Sequence, residues 1–218
     1  MRTFSLAEKK FIGTSALILF CLLFFAFFEE SSQLSGVLQG FIIGIVFFLV
    51  IPLAYCRMVL REPLSNMGWQ RGEGIFGFFW PLLSVAIAFA GIFFLTWQFP
   101  AFAEAYTFPV AVETNFLWFV LYELFMVPFI VLIYESFFRG LVQMLWLQAL
   151  GAWAILVQAA LFTGLVYVSD GFTWETLPLL VFAPFAGYIA YKTHSLWYAF
   201  LGSWTFLFLT DVLFLILR

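Results

Sequence analysis

Between Phe116 and Ile133 the chain is apolar apart from one charge, Glu123. A helix spanning the bilayer core needs ~20 apolar residues, and its backbone groups must bond within the segment. Similar runs lie at about 11–28, 36–56, 75–97, 152–169, 176–191 and 195–217, and the run from 116 extends to about 138. Hydrophobic residues make up 65% of the 218 and charged residues only 10%, too little polar surface to wet a soluble domain. The pattern predicts an all-α polytopic transmembrane helical bundle, one domain over 1–218. It has seven spans, or eight if 141–150, expected as a separate helical piece ending at Gly151, pairs with more sequence and crosses.

Basic residues set the expected orientation. With the N-terminus inside, Arg2, Lys9, Lys10, Arg57, Arg61, Arg71, Arg139 and Lys192 face the cytoplasm and only Arg218 falls outside. Glu29, Glu30, Glu104, Glu113, Asp170 and Glu175 then all face out. The first apolar run is too long for a cleavable signal and lacks a small-x-small site, so it is expected to stay as a span. Cys21 and Cys56 fall at different depths, which argues against a disulfide. Gly36, Gly40 and Gly44 form a small-residue ladder suited to close helix packing. The stretch 57–74 reads as a cytoplasmic linker broken at Pro63 and Gly68. The stretch 98–115 is a long loop rich in Phe and Tyr, either an interfacial cap or a surface offered to a partner.

The inventory limits the chemistry. The one histidine, His194, sits in a turn. A zinc site needs three or four converging ligands, and Cys21, Glu123, Glu135 and Asp211 are scattered along the sequence. No metal and no cofactor is expected. Ser203 follows Gly202, but its only imidazole would be the distant His194. Glu135 and Arg139 are four apart, on one helix face. Each alone would cost roughly 2.5–3.5 kcal/mol at mid-membrane. They are either a clamp at a helix end or the rim of an intramembrane site. Glu123 is either a hydrogen-bond partner of a neighbouring helix or a ligand or proton site. Asp211 lies near a membrane surface and is read as wetted. Pro128 is expected to kink the fourth span.

Several segments resemble one family. Leu60-Arg61-Glu62-Pro63-Leu64-Ser65-Asn66-Met67-Gly68-Trp69 is similar to the region between early spans of the CAAX protease and bacteriocin-processing (CPBP) membrane proteins. Tyr134-Glu135-Ser136-Phe137-Phe138-Arg139-Gly140 resembles their E-E-x-x-x-R-G helix. The segment Ala159 to Val166 resembles their F-x-x-x-H span, and Lys192 to Trp197 the turn before their last H-x-x-x-N helix. The resemblance covers about 57–218, with two leading spans in 1–56.

That family implies a type II CAAX-protease-like bundle in which a glutamate and two histidines activate water. Here the first glutamate position holds Tyr134, the histidine positions hold Val166 and Ser203, and the asparagine position holds Leu207. Glu135, Arg139 and Phe162 remain. Tyrosine is a poor base near neutral pH, valine has none to offer, and serine without a base is a weak nucleophile. The resemblance thus implies a pseudoenzyme: no intact catalytic set, and a binding pocket at Glu135, Arg139, Glu123, Phe162 and Ser203. Such a protein would sit in a bacterial inner membrane, among lipid, as a scaffold for another membrane or envelope protein; nucleic acid is not an expected partner. Two alternatives stay open: an active endopeptidase with Glu123 or Glu135 as base, and small-solute transport using Glu123 and Asp211.

Overall fold

The computed structural model describes residues 6–28, 36–72, 74–169 and 171–217, all in helices and short connections. The acidic turn at Glu29 and Glu30, together with Arg2, Asp170 and Arg218, lies outside the described residues. Helix α1 is Leu6–Ala26. Helix α2 covers 36–60 and α3 covers Gly74–Gln98. Two short helices follow, α4 at Pro100–Ala105 and α5 at Val110–Thr114. Helix α6 is the longest, Phe116–Leu150. Then come α7 at Trp153–Ser169, α8 at Leu177–Thr193 and α9 at Leu196–Leu217. By length and composition α1, α2, α3, α6 and α9 qualify as membrane spans. Helices α7 and α8 have 17 residues each, short of the ~20 that cross a bilayer upright.

Several expectations change. Residues 141–150 are not a separate piece. They continue α6, which at 35 residues extends well past a bilayer core. Arg57 belongs to α2, not to a linker. Arg139 is buried in mid-helix and leaves the set of loop cations. At two of the three ladder positions the packing is not close, since a methyl group on Gly40 would meet nothing within 4 Å and one on Gly44 makes ordinary contacts. Pro128 follows a π-helical turn, Tyr122–Met126, so the wider winding falls directly before the proline, which lacks an amide hydrogen to donate. Cys21 and Cys56 are both buried and free.

Two apolar clusters build the interior. One joins Ile18, Phe48, Phe137, Phe138 and Phe162, from α1, α2, α6 and α7. The other joins Val85, Ile92, Phe182, Ile189 and Phe206, from α3, α8 and α9, with Phe102 and Phe108 of the 98–115 stretch. That stretch is therefore a cap whose Phe102, Phe108 and Val112 enter the core while Phe99 and Val110 stay exposed. Phe102 is fully buried against Phe214 and Trp174, and Tyr106 stacks on Phe214 at 4.1 Å. At the other end, Lys10 Nζ donates to Glu62 at 2.8 Å, and Gln70 Nε2 donates to the His194 carbonyl at 2.7 Å. Gly68 takes φ of +84°, a left-handed conformation natural to glycine, and its carbonyl accepts from Leu196 N.

Candidate functional site

The centre of α6 departs from α geometry. Glu135–Gln143 is π-helical, and all nine of its residues are buried. The i→i+5 pattern widens the turn, a local distortion common at functional positions. It places Glu135, Arg139 and Gln143 between α7, α8 and α9. This is mid-helix, not the helix end that the spacing suggested.

Glu135 and Arg139 meet as that spacing predicts, with Arg139 Nη1 3.6 Å from Glu135 Oε1. Ser203 Oγ donates to the same carboxylate oxygen at 2.7 Å from α9. Arg139 Nη2 donates to the Ala183 carbonyl of α8 at 3.2 Å, and its guanidinium lies 5.6 Å from the Phe162 ring centre. Glu135 Oε2 and Arg139 Nε have no hydrogen-bond partner among the described residues. The clamp thus joins four helices at one buried point.

Two glutamines that the sequence reading passed over extend this network. Gln158 Nε2 donates to the Ala183 carbonyl at 3.0 Å, and Gln143 Nε2 to the Gly187 carbonyl at 2.8 Å. Both are fully buried. Gly187 makes room for them, because a Cβ there would lie 2.4 Å from Gln158 Nε2 and 3.0 Å from Gln143 Oε1. The available signal was two amides inside apolar helices, since polar groups buried in hydrocarbon need partners.

A cavity of about 210 Å³ opens beside the clamp. Tyr134, Glu135, Arg139, Phe162, Val166, Ser203 and Leu207 all line it. Residues from α6, α7 and α9 thus share one wall with Phe182, Ala183 and Phe206. Glu123 is not among the lining residues. It lies about 18 Å away along α6, at the helical rise of ~1.5 Å per residue.

Residues 113–209 match the family model described as Type II CAAX prenyl endopeptidase Rce1-like. That segment is Rce1-like. No curated protein and no solved structure matches the chain. The Rce1-like segment begins well after residue 57, where the motif resemblance starts, and it holds every cavity residue named above. It leaves out α1, α2, α3 and the cap up to Val112.

Glu123 and Asp211 are not scattered in space. Asp211 is 4% exposed and Glu123 2%, so Asp211 is buried and not wetted as expected. The two carboxyl groups are neighbours, each acting on the other's charge. Tyr106 of the cap donates a short hydrogen bond to Asp211 Oδ1. Burial, and then the neighbouring Asp211 carboxyl, push the Tyr106 phenol above its ordinary pKa, so it remains a donor. Among the described residues neither Glu123 oxygen has a conventional donor. His194 is exposed, caps α8 in a left-handed conformation, and is far from both groups. Among the described residues no three His, Cys, Asp or Glu side chains converge as a metal site.

Proposed function

We propose that this Rce1-like membrane protein is catalytically inactive and uses its cavity to hold a partner, as a scaffold subunit for another membrane or envelope protein. One observation carries the reading. The ionisable side chains lining the cavity are Tyr134, Glu135 and Arg139, and the last two are engaged with each other. A peptidase needs a group that takes a proton from water, and losing such a base alone costs about 10²–10⁴-fold. Val166 and Leu207 make the wall apolar where the family resemblance implies imidazole and amide groups. A wall of this kind suits an apolar side chain or lipid tail of a partner more than an attacking hydroxide.

The membrane we infer is a bacterial inner membrane, with the N-terminus cytoplasmic. Lys10, Arg61, Arg71 and Lys192 support this, because Lys10–Glu62 and Gln70–His194 tie their segments to one end of the bundle.

A second reading has one observation in its favour. Glu135 Oε2 is buried without a partner and Glu135 borders the cavity, so it could hold a water. Both readings meet in one assay. Purified protein is given prenylated peptides and leader peptides, and gently extracted membranes are checked for a co-purifying protein. Inactivity predicts no turnover and a stoichiometric partner. Cleavage lost in Glu135→Gln but kept in a surface variant such as Lys192→Gln would establish the peptidase and end the scaffold reading.

A further inference from the structure

Glu123 and Asp211 form a second buried acidic site, apart from the cavity. Glu123 comes from α6 and Asp211 from α9, the same two helices that meet at Glu135 and Ser203. Asp211 lies about 12 Å beyond Ser203 along α9. It also falls outside the Rce1-like segment, as does Tyr106. The pair is therefore not read off the family match, and it does not depend on what the cavity does.

Three observations converge on it. The two carboxyl groups act on each other as neighbours, and both residues are more than nine-tenths buried. Neither Glu123 oxygen has an N–H or O–H donor among the described residues. Among the described residues no cation pairs with them, the ion pairs being Lys10–Glu62 and Glu135–Arg139. The ionisable groups that face the pair are Tyr106 from the cap and Tyr122 from α6, both phenols. From α9 the Trp204 indole donates to the Glu123 backbone carbonyl at 2.9 Å, which fixes this part of α6 but does not reach the carboxyl.

Two bare carboxylates cannot share such a place, because neighbouring like charges away from water do not both ionise. A divalent cation would ask for six to eight oxygens around a gap. Among the described residues no three His, Cys, Asp or Glu side chains gather to hold one.

We propose that Glu123 and Asp211 are a proton-binding site, in which one proton is held between the two carboxyl groups and the remaining negative charge is met by the Tyr106 hydroxyl. The shared proton makes Glu123 a donor to Asp211. Asp211 in turn accepts from Tyr106, which stacks on Phe214. The proton thus fastens the cap to α6 and α9. Removing it sets two negative charges against each other beneath Tyr106 and frees the cap.

Infrared spectroscopy of the full-length protein in lipid tests this directly. A protonated carboxylic acid has a C=O stretch distinct from that of a carboxylate. At neutral pH the native protein should show this band, and both Glu123→Gln and Asp211→Asn should lose it; two variants guard against one failing to fold. An amide at either position can still donate a hydrogen bond to the remaining carboxylate, so both should retain the cap. Absence of the band from the native protein, or its survival in both folded variants, overturns the proposal. So does a band that appears only when sodium is replaced by choline, because a metal ion would then occupy the proton's place.

Discussion

Arg139→Met isolates the clamp. In the native protein Nη1 is 3.6 Å from Glu135 Oε1, and Nη2 holds the Ala183 carbonyl at 3.2 Å. At an effective dielectric of about 20, charges at that separation attract by roughly 4–5 kcal/mol. Methionine has a similar length and fills much of the same space against Phe162, so packing changes little. What is lost is the charge partner of a carboxylate that is 3% exposed. Glu135 keeps only the Ser203 hydroxyl. Breaking a buried pair from one side costs about 3–5 kcal/mol, whereas replacing both partners by apolar groups is often close to neutral. Arg139→Met should therefore lower stability by about 3–5 kcal/mol. The double variant Glu135→Leu with Arg139→Met should recover to within about 1–2 kcal/mol of the native protein. Reversible unfolding in mixed micelles by SDS titration measures all three. A double variant no more stable than Arg139→Met, or a single variant costing under about 1 kcal/mol, would refute the view that an uncompensated carboxylate is what the arginine prevents.

Other consequences follow from the same geometry. Gly187→Ala should destabilise by about 1–3 kcal/mol, since its methyl displaces Gln158 from a packed site, and a Gln158→Ala background should relieve much of that loss in the same titration. Ser203→Ala removes one of the two groups that hold Glu135 Oε1 and should cost about 1–3 kcal/mol in thermal unfolding. Tyr106→Phe keeps the stack on Phe214 but removes the donor to Asp211, so proteolysis within 98–115 should accelerate while the bundle stays folded. At the opposite end, hydrogen bonds from Lys10 and Asn66 hold the Glu62 carboxyl below its ordinary pKa. Its contribution is present above the unfolded-state value and fades as pH falls through the folded one. Lys10→Gln should therefore flatten stability against pH on the acid side, by under about 1 kcal/mol at this exposed pair.

Much of the architecture was legible in the residues alone. Apolar runs with so few charges leave a chain little choice but helices in lipid, because backbone groups there must bond within their own segment. The four-residue spacing of Glu135 and Arg139 also foretold their contact, since helical periodicity is local. Where each helix stops was less legible. The run from Phe116 continues to Leu150 through a π-helical centre, and a 3.6-residue period carries no sign of that.

What only tertiary structure decided is which distant groups share a space. A motif resemblance groups Tyr134, Val166, Ser203 and Leu207 on paper, but three packed helices are needed to set them around one cavity. Gln143 and Gln158 look incidental until α8 presents two carbonyls to them. Asp211 reads as a wetted residue near a helix end, and it is the cap folding back over α9 that removes the water. Sequence fixes which groups a chain possesses and how they repeat along one helix. Whether a carboxyl group meets water, a serine or another carboxyl depends on neighbours far along the chain, and only packing brings those together.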